Sequence, residues 1–424
     1  MPLTILFFKI FIFKILFFRL YDIKIKIFKN RGNIVIYMDN AATTMTKKEV
    51  VDEMLKYFYI LYGNPSSVYE FAGESRNAIE NARKVLAGTI NATPDEIYFT
   101  SGGTESDNWA LRSVAKTCKN KGKHIITSKI EHSAILNTAK NLEDLGYEIS
   151  YIDVDEYGMI KLQQLKDMIR SDTILISVMA ANNEVGTIEP IHEIGKIAKD
   201  NDIIFHTDAV QSYGHIPMDV KKDNIDLLSV SAHKFNGPKG IGFLYINKRL
   251  DMVPLIFGGG QEKGLRAGTY NVPSIVGMAK AAQISLNNQT VKIMELKNKR
   301  NYFIKRVLKE IPYSRLNGTL LNRLPGNINF AFQFVSASEL LAMLDINGVC
   351  ASSASACQSE SGKPSHVLKA MGLSEELSGS SVRFSISDDT TYDDINYVAD
   401  KLKELIAEMR KDNEIIRYYN GNNK

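Results

Sequence analysis

Residues 225–246 read IDLLSVSAHKFNGPKGIGFLYI, and their pattern decides the fold. Asp226–Ser231 is a short, nearly all-apolar run, and Ile241–Ile246 is another. Between them lie Ser231-Ala232-His233-Lys234 and a turn carrying Gly237, Gly240 and Gly242. Such runs predict strands buried on both faces. A lysine at the end of a buried strand is uncommon, because desolvating an ammonium is costly. Desolvation also lowers its pKa, which makes a nucleophilic amine. Taken alone, Lys234 reads more readily as a solvated loop lysine.

The same pattern extends outward. Glu96–Thr100, His124–Ser128, Glu148–Val154, Thr173–Met179 and Ile203–His206 predict further strands. Thr104–Lys116, His132–Leu145 and Ile191–Lys199 predict helices between them. Strand–helix alternation argues for a largely parallel sheet covered by helices, with ligands at the carboxyl ends of the strands. After Gly258-Gly259-Gly260 the character changes. One long helical pattern from about Pro273 to Leu308 precedes a strand (Asn327–Phe332), a helix (Ser338–Leu344), a Ser/Ala-rich stretch around Cys357, a strand (Val382–Ile386) and a final helix (Asp393–Arg410). This predicts a smaller α+β domain.

Composition sets bounds. The 424 residues are 44% hydrophobic and 24% charged, which excludes a disordered chain and fits two or three domains. Residues 1–37 carry seven Lys and Arg against the single Asp22. That surplus exceeds the chain's whole net charge of +4, so the remainder is slightly acidic and nucleic acid is not an expected partner. Residues 1–37 are rich in Phe, Ile and Lys. They hold no uninterrupted apolar run long enough for a membrane span, and no small-residue cleavage site. They read as an N-terminal extension from a mis-assigned start, with Met38 opening the patterned chain; a membrane partner is not expected. The three cysteines (Cys118, Cys350, Cys357) form no CxxC and suit a reducing, cytoplasmic setting. No zinc-like spacing of His and Cys occurs, so no metal is expected.

Candidate chemistry gathers at the strand ends. Phe99-Thr100-Ser101-Gly102-Gly103-Thr104 is a strand, a glycine turn and a helix start, suited to an anion, although a plain capped turn has the same form. Asp208 follows the strand ending at His206; it either meets a cation or caps the next helix. His132 follows another strand and could stack on an aromatic ring or shuttle protons. Together, a phosphate cradle, an acid, a histidine and a lysine at the ends of one sheet form the kit for pyridoxal 5′-phosphate. Cys357 lies among small and polar residues (Ala351–Ala356 and Gln358–Lys363), a composition suited to a mobile exposed loop. Cys350 fits a structural role better.

At this point the chain resembles a known family. It is similar to cysteine desulfurases of the NifS/IscS type, in the class V aminotransferase group of fold-type I pyridoxal-phosphate enzymes. The resemblance rests on MDNAATT (38–44), GNPSS (63–67), FTSGGTESDN (99–108), HIITSKIEH (124–132), NNEVGTI (182–188), HTDAVQS (206–212), SAHKFNGPKGIG (231–242), GGGQEKGLRAGT (258–269), SSASAC (352–357), PSHVL (364–368) and SVRFS (381–385). It implies an α/β fold-type I transferase with a large domain (53–289), built on a mostly parallel mixed sheet, and a small α+β domain (38–52 and 290–424) carrying the cysteine loop. It implies that Lys234 is the Schiff-base lysine, that Asp208 pairs with the pyridine nitrogen, and that His132 stacks on the ring and manages protons. Gln211 would bond the ring hydroxyl and Asn183 would line cofactor and substrate. Gly103, Thr104, Ser231 and His233 would hold the phosphate, and Thr269 would reach the phosphate of a homodimer partner. Arg383 would clamp the substrate carboxylate. Cys357 would be the nucleophile.

The implied reaction converts L-cysteine to L-alanine and passes the sulfur through an enzyme persulfide to an acceptor protein, such as an iron–sulfur scaffold or a tRNA thiolation enzyme. The alternatives on this frame are a selenocysteine lyase, an aminotransferase, or chiefly a sulfur-transfer scaffold. The chain departs from the family's usual SSGSACTS by carrying Ala354 and Gln358.

Overall fold

The structure, a computed structural model, describes residues 35–353 and 365–411. Cys357, Ala354, Gln358 and residues 1–34 of the N-terminal segment lie outside the described residues.

In chain order, β1 (Ile36–Tyr37) precedes α1 (Lys48–Tyr59) and α2 (Phe71–Thr89). The large sheet is then laid down by β2 (Ile97–Thr100), β3 (His124–Ser128), β4 (Glu148–Ile152), β5 (Thr173–Ser177), β6 (Ile204–Asp208), β7 (Leu227–Ser231) and β8 (Gly242–Ile246). Helices α3 (Gly103–Thr117), α4 (Ser133–Asp144), α5 (Leu162–Met168) and α6 (Ile191–Asp200) lie between these strands in the chain. Next come α7 (Val272–Leu286), α8 (Gln289–Glu310), β9 (Ser314–Leu316), β10 (Asn327–Phe332) and α9 (Ala337–Ile346). The last elements are β11 (Val349–Cys350), β12 (Ser352–Ser353), α10 (His366–Ala370), α11 (Glu375–Gly379), β13 (Ser381–Ser385) and α12 (Tyr392–Met409).

The seven-stranded sheet has the order β2-β8-β7-β6-β5-β3-β4. Strands β7, β6, β5, β3 and β4 pair in parallel, and β8 is antiparallel to both β7 and β2. Every residue of β3, β5, β7 and β8 is buried. Helices cover both faces, which is why these strands lack polar alternation. The edge strand β4 exposes Glu148 and is only half-buried over the next three residues. Because β2 is antiparallel to β8, and β8 to β7, β2 runs in the same sense as the parallel strands. The loops after β2, β3, β5, β6 and β7 therefore open on one edge of the sheet.

A second, antiparallel sheet (β12-β13-β10-β9) packs against α8, α9 and α12. The rings of Phe303, Phe330 and Phe384 meet there edge to face, with Phe303 5.8 Å from Phe330 and 5.4 Å from Phe384. Ile36 and Met38 join this second core, and β1 pairs in parallel with β11. Helix α1 instead packs on α7 and buries Val50 in the core of the large sheet.

The single long helix expected over 273–308 is two helices. Asn288 takes a left-handed backbone (φ 55°) between Leu286 and Gln289 and ends one helix before the next begins. Asparagine tolerates that conformation better than most side chains. Asn271 starts the first of the two, its side chain accepting the Ser274 N–H, with Pro273 in the first turn.

Candidate active site

At the end of β2 the chain turns through Gly102 and Gly103 into α3. Gly102 has φ +149°, and a Cβ on Gly103 would lie 2.6 Å from Val210 Cγ2. Only glycine lets the backbone pass this close to the end of β6. The turn brings the helix N-terminus, Thr104 and the buried Ser231 to one corner of a cavity of about 650 Å³. A helix N-terminus ringed by hydroxyls is an anion site. His233 lines the same cavity, its Nδ1 3.1 Å from Thr43 Oγ1. Burial and the nearby Lys234 push its imidazole down to about 4, so it is neutral at pH 7.

Lys234 follows β7 on a short 3₁₀ turn. Its Nζ donates to Ala41 O at 2.7 Å and to Ala42 O at 2.8 Å. Gln211 Nε2 reaches the same Ala41 O at 2.9 Å. The 38–44 segment, far away in sequence, thus holds the amine at the cavity wall. Asp208 ends β6, and its Oδ1 accepts the Val210 N–H at 2.8 Å. Burial raises its pKa, while His132, Val210 N–H and Lys234 oppose the rise. His132 is the N-cap of α4: its Nδ1 accepts the Ala134 N–H at 3.1 Å. Arg383, on β13, is 2% exposed and reaches the cavity from the second sheet. Its Nη2 donates to Asp39 Oδ1 at 2.9 Å and its Nη1 to Asn183 O at 3.1 Å, while its buried Nε has no partner.

The cavity is therefore lined by Gly103, Thr104, His132, Asn183, Asp208, Gln211, Ser231, His233, Lys234 and Arg383, each expected from sequence. Thr269, expected at the phosphate of a partner subunit, is exposed and lines no part of this chain's own cavity, and Cys357 lies outside the described residues.

Other groups in the wall were not expected. Asp107, on α3, is fully buried, its Oδ1 has no hydrogen-bond partner, and it lies 3.7 Å from His206 Nε2. Burial and the neighbouring Asp208 charge push its carboxyl far up. The sequence did carry a signal for it. Gly103, Ser106, Ala110, Leu111 and Val114 form the buried stripe of α3, and Asp107 falls inside that stripe by helical spacing. Glu131, beside His132, accepts the Ser128 hydroxyl at 2.6 Å and the Met179 N–H at 3.0 Å, and burial pushes its pKa up to about 8. His366 Nε2 lies 2.9 Å from Glu131 O. His206, which does not line the cavity, sits between the Ser177 and Ser229 hydroxyls at 2.8 and 3.0 Å and is driven down to about 3 by burial. No group of three metal-ligating side chains occurs among the described residues.

Comparison with known proteins agrees with this arrangement. The family model described as "Aminotransferase class-V" matches residues 36–398. A curated relative from Methanosarcina thermophila, named cysteine desulfurase IscS, is 50% identical over 89% of this chain and 93% of its own. A solved NifS-like protein superposes with a TM-score of 0.83 at 37% identity, over 88% of this chain and all of its own. Another, described as SspA in complex with cysteine, gives a TM-score of 0.74 at 37% identity, over 84% of this chain and 99% of its own. With a family match spanning the whole cavity, and half of all aligned residues shared with a relative of nearly equal length, the chain belongs to the class V aminotransferase family, in its cysteine desulfurase branch.

Proposed function

We propose that this protein is a cysteine desulfurase that takes the sulfur of L-cysteine onto Cys357 and releases L-alanine. The observation that carries the reading is the meeting of Lys234, Asp208, His132 and Arg383 around one cavity at the strand ends. An amine, an acid, an imidazole and a carboxylate clamp in one cleft suit an amino acid substrate better than any other class.

The residues fit pyridoxal 5′-phosphate. The close approach that glycine permits at 102–103, with Thr104, Ser231 and His233, matches the phosphate; the buried Asp208 matches a protonated ring nitrogen. When bound, this cofactor supplies an electrophilic carbonyl and an electron-withdrawing ring. Asp208 would keep the ring nitrogen protonated, and Gln211, Asn183 and His132 would hold the ring. Arg383 would orient the substrate carboxylate, and the Lys234 amine would take the Cα proton. The Cys357 thiolate would then attack the substrate sulfur: an S–S bond forms, the Cβ–S bond breaks with its electron pair left on carbon, and the carbon skeleton takes up one proton at Cβ and regains one at Cα to leave as L-alanine. A free thiol near pKa ~8.5 is only a few per cent ionised at neutral pH, so this cysteine needs local activation.

A second copy of the chain completes the site in this reading. The loops at 65–66 and 260–261 border one cleft, and Tyr62, Val68 and Phe257 around them are exposed. Exposed apolar surface beside Thr269 suits a homodimer contact. The sulfur then passes to an acceptor protein. Among the described residues no helix is long and apolar enough to cross a membrane. Cys118 and Cys350 carry no disulfide, in keeping with a cytoplasmic setting.

The test is an absorption spectrum of the purified protein before and after L-cysteine, with L-alanine counted by chromatography. A visible cofactor band that changes on adding cysteine, with L-alanine formed in wild type and none in Lys234→Ala, supports the reading. A colourless protein that cannot be reconstituted ends it.

A further inference from the structure

The MDNAATT segment makes side-chain contacts besides those that hold Lys234. Asp39 stands between two elements. Its Oδ1 accepts Arg383 Nη2 at 2.9 Å, and its Oδ2 accepts the Ser352 hydroxyl at 2.9 Å. Arg383 is on β13 and Ser352 on β12, paired with each other in antiparallel register. Ser352 is also the start of the stretch that runs on in sequence to Cys357. The Arg383 side chain is 3% exposed, yet its Nε has no partner, so it retains a donor for an incoming ligand. The Asp39 side chain is 17% exposed and can turn toward water.

We propose that Asp39 is a positioning residue that competes with the substrate carboxylate for Arg383, and that its displacement frees Ser352. The inference rests on the reading of Arg383 as the carboxylate clamp. A substrate carboxylate at Arg383 places a second anion beside Asp39 in a poorly solvated wall, where like charges repel more than in water. One guanidinium does not neutralise both. Asp39 is the member with access to solvent, so it is the one that yields, and with it goes the acceptor that tethers Ser352. Arrival of substrate is thereby felt at the strand end that leads toward the nucleophile.

The experiment titrates the holoenzyme with L-alanine, following the cofactor spectrum, and follows hydrogen exchange of the 349–353 backbone with and without L-alanine. In wild type, L-alanine raises exchange over these residues. In Asp39→Asn the competing charge is gone, so L-alanine binds roughly three- to tenfold tighter. In that variant KM for cysteine falls while kcat does not rise. Ser352→Ala leaves the Arg383–Asp39 pair in place; its 349–353 exchange is already raised and does not respond to L-alanine. Equal or weaker binding by Asp39→Asn overturns the proposal, since an aspartate that merely orients Arg383 would give that result. Wild-type exchange unmoved by L-alanine also overturns it. Arg383→Ala separates the two levels. If it binds L-alanine as wild type does, the clamp reading itself fails and takes the proposal with it. If it loses binding while Asp39→Asn gains none, the clamp stands and the proposal alone falls.

Discussion

His132 Nδ1 accepts the backbone N–H of Ala134 at 3.1 Å, so one imidazole nitrogen caps helix α4 and the ring's proton is left to Nε2. A main-chain N–H only donates, which fixes the tautomer. The capping and chemical roles of this side chain can therefore be separated. His132→Asn keeps an acceptor for the cap, and its stability should stay within about 0.5 kcal/mol of wild type by urea unfolding. Turnover of L-cysteine should fall by roughly 10²-fold or more, because no group remains to cover the ring or carry protons. A large loss of stability with turnover retained would show that the ring serves only as a cap.

Arg83 and Glu262 form a two-bond ion pair, Nη2 to Oε1 at 2.7 Å and Nη1 to Oε2 at 3.0 Å, with both side chains under 10% exposed. Glu262 Oε2 also accepts the Phe99 N–H at 2.8 Å, tying the 258–269 loop to β2. Glu262→Ala leaves a buried guanidinium with its main partner gone and should cost about 3–5 kcal/mol in denaturant unfolding. Replacing Arg83 and Glu262 together with apolar residues of similar volume should cost less than Glu262→Ala alone. A cost below 1 kcal/mol for Glu262→Ala would mean the loop is held by other contacts.

Glu189 is buried; its Oε2 accepts the Ile160 N–H at 3.0 Å and its Oε1 has no partner. Burial pushes its pKa from an ordinary 4.5 up to about 8. The folded state therefore holds a proton that the unfolded state releases, so this group's contribution to stability falls as pH rises from about 4.5 to about 8 and is constant outside that window. Glu189→Gln removes the ionisation and keeps the acceptor. Thermal unfolding of the variant should decline less steeply than wild type between pH 5 and pH 8, assay values on the scale of these pKa limits. Parallel pH profiles for the two proteins would contradict the assignment.

The sequence makes the strands buried on both faces legible, so β3 and β10 are found with their exact bounds and the other predicted strands within two residues, while the short β1, β9, β11 and β12 are not found. The break at Asn287-Asn288 is not legible, since a left-handed asparagine inside a run of helix formers leaves no trace in periodicity. The site residues on strand ends are legible because strand–turn–helix grammar places them. Asp39 is not: its meaning lies in Arg383, 344 residues further on, and only the register of β12 on β13 brings Ser352 to the same carboxylate. Nor is the tethering of Lys234 by the Ala41 and Ala42 carbonyls, because main-chain acceptors carry no side-chain signature.

Sulfur is expected to leave L-cysteine by way of Cys357, and mass spectrometry of the enzyme after brief exposure to L-cysteine checks this. The peptide containing Cys357 should gain one sulfur atom, sensitive to a reducing agent, while the Cys118 and Cys350 peptides stay unchanged. Cys357→Ala should gain none and form no L-alanine above background. Added sulfur on another cysteine, or L-alanine formed by Cys357→Ala at the wild-type rate, would contradict the account.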